Sequence, residues 1–350
     1  MIRSVEVTPY ALPFRRPYVT ARGRLDRREM VLLRITSPDG VSGIGEAVPL
    51  SLRGGTGLET VASELETWGL AVTAGELPAE SAPANLSAPA RCAIETALSD
   101  LAAREAEVPL HEFLQPGRPS RPVPCNATLT TDTPAGILAQ AENWAADGFT
   151  VFKLKLGTAD DLAGVEAVRG GLGPEARIRL DANGSWDLDR AAEILAGLEP
   201  VGIELAEQPV ADLESMAALK KRTSVPLVAD ESVSNPAEAK TAASLAACDA
   251  VTVKLSKVGG LDAGLGGFLP TYLSSALDGP VGIAAAAHVA QTLDREGEWS
   301  MVAHGLATSR LFSGTIAAVG CTFDGANLCL PAGPGLGVEI DEDSLQAYRI

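Results

Sequence analysis

FTVFKLKL (residues 149–156) is an apolar strand broken by two lysines, and four later segments repeat its design: ARIRLDAN (176–183), GIELAEQP (202–209), PLVADES (226–232) and DAVTVKLS (249–256). Helical periodicity follows them at 161–170, 188–198, 213–221 and 237–247, with a short stretch from Leu261 after the last. PCNATL (124–129), ahead of a helical pattern at 134–146, opens the series. Short apolar strands alternating with helices of ~10–15 residues imply βαβ units, because a parallel return needs a crossover. Six such units predict an α/β chain built on a modified (β/α)8 barrel rather than an open sheet. No Gly-x-Gly-x-x-Gly follows the first strand, which weakens a dinucleotide-binding reading.

Before residue 122 the texture differs. Strands are expected at 2–12 and 29–37, with Asp39-Gly40 as a hairpin turn, and helices at 57–70 and 88–106. This is an α+β pattern, so the chain divides into 1–121 and a barrel at 122–321. The polar, basic stretch 15–24 has no period and reads as a surface loop.

Composition narrows the function. The 350 residues carry 28 basic and 45 acidic side chains, a net charge of −17, so neither nucleic acid nor an anionic membrane is an expected partner. No apolar run of ~18 residues exists to span a bilayer, and the N-terminus shows no secretory h-region. Cys92, Cys125, Cys248, Cys321 and Cys329 form an odd set without CxxC spacing and read as reduced thiols of a cytoplasmic protein. A small-molecule carboxylate is the expected partner, with homo-oligomerisation left open.

The chemistry lies in the phase of the charges. Lys155, Asp181, Glu207, Asp230, Lys254 and Asp278 are separated by 26, 26, 23, 24 and 24 residues, about one β/α unit each. Residues one unit apart stand side by side at a barrel mouth, where barrel active sites form. Singly, Asp181 or Asp230 reads as an N-cap of the next helix. Six in phase do not. Asp181, Glu207 and Asp230, with no histidine or cysteine beside them, suit a hard cation, Mg²⁺ by preference and Mn²⁺ as the alternative. Lys155 and Lys254 would flank that ion as acid/base groups for a proton α to a carboxylate. Lys153 shares a strand face with Lys155, so the two should lower each other's pKa, and Lys153 could bind the substrate carboxylate. Asn183 and Glu231 are expected to support the ligands, Glu231 by orienting Lys254. His111 and His288 are expected to be structural, and Trp186 to pack.

Lys153-Leu154-Lys155, Asp181-Ala182-Asn183, Glu207-Gln208-Pro209, Asp230-Glu231-Ser232 and Val253-Lys254 through Lys257-Val258-Gly259-Gly260 resemble the muconate-lactonizing-enzyme subgroup of the enolase superfamily. The resemblance implies an N-terminal capping domain completed by the tail 322–350, closing a TIM-like barrel with mobile loops at 15–24 and 50–57. It also implies Mg²⁺ on Asp181, Glu207 and Asp230, with acid/base work by Lys155 and Lys254. Ser274–Gly282 and His304–Thr308 are similar to the seventh- and eighth-strand segments of o-succinylbenzoate synthases, which makes Ser275 and Asp278 candidate substrate contacts. That activity is a dehydration in menaquinone synthesis, with Lys155 removing the proton and Lys254 facing the ring. The alternatives are an N-acylamino acid racemase with both lysines as bases, a muconate-type cycloisomerase, and a non-catalytic ligand-binding barrel. A dipeptide epimerase is disfavoured, because the usual Asp-x-Asp of the eighth strand is missing. Between Gly260 and Ser274 only 13 residues remain, rich in glycine, so the sixth helix is expected to be truncated.

Overall fold

A computed structural model describes residues 2–20, 23–50, 55–78, 80–130, 133–156, 161–293, 297, 299 and 302–350. At the N-terminus β1 (Ser4–Thr20), β2 (Gly23–Thr36) and β3 (Ser42–Ala47) form an antiparallel sheet in that order. Alternation along β2 sends Val31, Leu33 and Ile35 into one core with Leu65 and Trp68 of α1 (Leu58–Thr73) and Ile94 of α2 (Ala88–Glu105). Met30 and Leu32 enter the other core, shared with the barrel. Both faces of this sheet are therefore buried, and a one-residue slip of β2 would exchange its two sets of contacts.

The expected loop at 15–24 is a strand pair instead. After a register shift between Pro13 and Tyr18, pairing resumes at Tyr18↔Leu25, Val19↔Arg24 and Thr20↔Gly23. Aromatic packing explains the extension, with Phe14 stacked on Tyr18 at 5.5 Å and on Phe312 at 4.9 Å. Residues 21 and 22 lie outside the described set, as do 51–54 of the second expected loop. The Asp39-Gly40 turn forms as read, with Gly40 at φ +89°.

After α3 (Leu110–Leu114) and β4 (Val123–Pro124) come β5 (Ala127–Leu129), α4 (Pro134–Ala146), β6 (Val151–Lys155), α5 (Asp161–Leu172), β7 (Arg177–Asp181), α6 (Leu188–Leu198), β8 (Ile203–Glu207), α7 (Leu213–Lys220), β9 (Leu227–Ala229), α8 (Pro236–Ser244), β10 (Ala250–Val253), α9 (Leu255–Val258), β11 (Thr271–Leu273) and α10 (Pro280–Thr292). Strands β5 to β11 form one curled parallel sheet in sequential order. His304 and Gly305 link its edges: His304 bridges to Cys125 and Gly305 to Ser274, both parallel. Seven strands plus this two-residue bridge replace the eight regular strands of the ideal barrel. The sixth helix is reduced to the four residues of α9 and a 3-10 turn at Leu265–Gly267. The tail adds β12 (Ala317–Val319), β13 (Thr322–Asp324), β14 (Asn327–Cys329), β15 (Glu339–Ile340) and α11 (Glu342–Tyr348); β14 pairs with β4, and Arg349 bridges back to Tyr10. Among the described residues no helix is long and apolar enough to cross a membrane.

Candidate active site

Strand register assembles the site. Pairing sets Lys155 beside Asp181 and Asp181 beside Glu207. Asp230 and Lys254 each follow the last residue of a strand, β9 and β10. The helix caps are different residues: Asp187, Asp212 and Asn235 accept the first-turn amides of α6, α7 and α8. The acids at the strand ends are therefore not used as caps. Asp181, Glu207 and Asp230 are buried, and lysines meet them.

Lys153 Nζ lies 2.8 Å from Asp181 Oδ2 and 2.6 Å from Glu207 Oε2. Lys155 also donates to Asp181 Oδ2, and Lys254 to Asp230 Oδ2. Burial opposes the charge on Lys153, but Asp181 and Glu207 outweigh it and hold the ammonium well above the usual lysine range. The expectation that its lysine neighbour would depress Lys153 is overturned, because two anions in contact outweigh one like charge. Burial likewise opposes ionisation of Asp181, yet Lys153 and Lys155 hold it far below the usual carboxylate range. At Glu207 burial is the largest influence and raises the pKa.

A cavity of about 360 Å³ opens beside this cluster. Arg28, Lys153, Lys155, Lys254 and Lys257 line it, with Asn183, Ser275 and Thr308, and no Asp or Glu is among its described lining residues. Asn183 joins the strand ends: its amide donates to Asp181 Oδ1, its Nδ2 donates to Glu231 Oε1 at 2.9 Å, and its Oδ1 accepts from Lys155 at 3.3 Å. Asn183 takes φ +48°, and Gln208 φ +36°, so the backbone turns through the left-handed region just beyond two of the strand ends. Ser275 Oγ pairs with Thr308 Oγ1 at the wall.

Asp278 is not brought to this cavity. It stands beyond β11 at the start of α10, where its carboxylate accepts the Ala276 amide at 2.7 Å. The even spacing that selected it was counted across a truncated unit, so position in phase did not mean position at a strand end. His304 serves the sheet junction, its Nδ1 accepting the Leu273 amide. His111 and His288 stack in the interior, 5.4 Å apart.

Four contributors were missed. Lys257 donates to Asp230 Oδ1 at 3.0 Å and to the Val233 carbonyl at 2.8 Å. Its position three residues after Lys254, on the same helical side, was a usable signal. Gln208 is fully buried and its Oε1 accepts the Asp230 amide at 2.8 Å. Tyr272 donates to Glu207 Oε2 at 3.1 Å. Arg28, from β2, donates to the carbonyls of Pro49 and Ala276. Nothing local in the sequence marks Tyr272 or Arg28.

Among the described residues no group of three or more His, Cys, Asp or Glu side chains stands ready to hold a metal ion, and the Lys153 ammonium lies between two of the carboxylates. The donor set nevertheless fits a hard divalent cation. It is all oxygen, and Glu207 Oε1 is buried with no hydrogen-bond partner, leaving one ligand atom uncommitted.

Comparison with known proteins agrees with the fold. Residues 2–115 match the mandelate racemase / muconate lactonizing enzyme N-terminal domain, and residues 136–344 the enolase C-terminal domain-like family. The chain belongs to the enolase superfamily, whose members here are enzymes. It is 30% identical over 360 residues to the L-Ala-D/L-Glu epimerase of Bacillus subtilis, covering 95% of each. It is 37% identical over 200 residues to the o-succinylbenzoate synthase of Thermobifida fusca, covering 54% of this chain and 60% of that protein. The muconate lactonizing enzyme of Pseudomonas fluorescens, solved with muconolactone, superposes with a TM-score of 0.89 at 27% identity, over 100% of this chain and 99% of that one.

Proposed function

We propose that this enzyme removes the proton α to a carboxylate and stabilises the resulting enediolate, and that its reaction is dehydration to o-succinylbenzoate. The carrying observation is the cavity's lining: five cations and no carboxylate among the described residues. Such a wall suits an anionic substrate and offers no partner for a dipeptide's ammonium group. Thr308 lines the same cavity, and the chain lacks the eighth-strand Asp-x-Asp pair that dipeptide epimerases usually carry to hold one. The similarity to the Thermobifida fusca enzyme supports the same choice.

In this reading Lys155 Nζ takes the α-proton and returns it to the departing hydroxyl, so that water leaves and the ring becomes aromatic. Lys254, from the far side of the carboxylate cluster, faces the ring as a cation. Lys153 anchors Asp181 and Glu207, and Asn183 ties Lys155 to Glu231. Asp181, Glu207 and Asp230 would hold Mg²⁺, which supplies positive charge to the substrate carboxylate as the enediolate forms. Five free cysteines suit a cytoplasmic setting. The same reading divides the chain near residue 121, with 322–350 returning to the N-terminal unit as a cap.

Incubation of the purified protein with Mg²⁺ and the hydroxylated cyclohexadiene dicarboxylate should yield the aromatic product, followed by ultraviolet absorbance. Lys155→Ala should lower kcat/KM by ~10²–10⁴-fold. No product with metal bound and both lysines intact would defeat the dehydratase reading. Deuterium uptake at Cα of N-acylated amino acids in heavy water would then mark a racemase, the second reading, which the lysines at the two sides of the carboxylate cluster favour.

A further inference from the structure

We propose that Glu46, which does not line the cavity, is a positioning residue for it: its buried carboxyl caps α10 from another part of the chain and so fixes the wall segment 274–279. The N-cap of helix α10 is Gly279, which has no side chain to cap the first-turn amides. Unsatisfied amides at a buried helix start need an acceptor, preferably an anionic one. Glu46, from β3, supplies it. Its Oε1 accepts the Gly279 amide at 2.6 Å, and its Oε2 accepts the Tyr10 hydroxyl at 2.7 Å.

The glycines make the approach feasible. A Cβ at Gly279 would lie 2.7 Å from Glu46 Oε2, and one at Gly282 would lie 2.8 Å from Glu46 Oε1. The segment just before this cap is the cavity wall, with Ser274, Ser275, Ala276 and Leu277 all lining the site. Leu277 takes φ +67°, a conformation that a leucine holds only when its surroundings enforce it. Arg28 donates to the Ala276 carbonyl in the same wall. The groups facing Glu46 are Tyr10 of β1, Arg28 of β2, Cys92 of α2 and Asp278 before α10. The N-terminal sheet thus holds the wall through an ionisable hydrogen bond rather than through apolar contact alone.

The test combines amide exchange with kinetics. Glu46→Ala should speed hydrogen–deuterium exchange in 274–285 by about tenfold or more, the effect of losing a buried hydrogen bond. It should raise KM about tenfold while kcat changes less, because the wall contacts substrate and not the reacting proton. Glu46→Gln, which keeps an acceptor for Gly279, should restore both. If the alanine variant does not fold, Glu46→Asp, shorter by one methylene, should move both measurements in the same direction. Unchanged exchange in the Ala or Asp variant overturns the proposal, as does a Gln variant no better than Ala. The kinetic arm rests on the reading of function above and the exchange arm does not. A wild-type protein with no α-proton chemistry would defeat that reading and leave exchange to decide this one.

Discussion

Lys153 illustrates how a buried charge can be both costly and necessary. Its ammonium contacts Asp181 and Glu207, which have almost no solvent to fall back on. Lys153→Met should therefore destabilise the protein by ~3–5 kcal/mol, the cost of stranding buried charge, as a fall in the urea midpoint. A change below ~1 kcal/mol would mean that the carboxylates find other partners. Glu46 gives a pH-dependent counterpart. Burial, then the nearby Asp278 charge, push its pKa up to about 7, against hydrogen bonds from Tyr10 and Gly279. The folded-state pKa is raised, so its contribution to stability is full below the unfolded pKa of ~4.3 and is lost as pH rises through about 7. Glu46→Gln should thus gain ~3 kcal/mol relative to wild type between pH 4 and pH 8, by paired denaturant titrations. A difference that stays flat across this range would refute the ionisation argument.

At the level of elements, close approach of backbone decides more than hydrophobic pattern does. Helix α2 lies directly on β3: a Cβ at Gly45 would sit 2.0 Å from the Ala93 carbonyl oxygen, and one at Gly43 2.3 Å from that of Ala97. Asp100 of α2 seals the contact by accepting the Ile44 amide at 2.8 Å and the Leu336 amide at 2.6 Å. Gly45→Ala should cost at least ~1–3 kcal/mol through overpacking, visible as a lowered Tm, and an unchanged melt would show that α2 can shift freely. Several elements could be read directly from residues. The helical pattern at 134–146 coincides with α4, and that at 188–198 with α6, because Thr133 and Asp187 cap them where periodicity begins. The 15–24 strand pair could not be read that way. Its exposed arginines conceal a pairing that depends on Phe14 stacking both on Tyr18 and on Phe312, some 300 residues away.

For the molecule as a whole, ion binding is the sharpest test of the assembled site. Mg²⁺ at 100 times its Kd should add ~2.7 kcal/mol to stability, read as a rise in Tm that EDTA reverses. Glu207→Gln, which alters the carboxylate with the uncommitted oxygen, should abolish most of that rise; a full rise in the variant would remove Glu207 from the proposed ligand set. Sequence alone determined the barrel, the order of its strands and the clustering of Lys155, Asp181, Glu207, Asp230 and Lys254, since a repeat of about 25 residues brings equivalent positions to one end of a parallel sheet. Only the tertiary structure decided what the unit truncated after Gly260 and the N-terminal sheet contribute. There the repeat fails, so Asp278 leaves the mouth, while Arg28 and Glu46 reach the cavity wall through contacts more than 200 residues apart in the chain. Periodicity encodes neighbours within a repeating unit; contacts between units depend on how their faces dock, which no local pattern records.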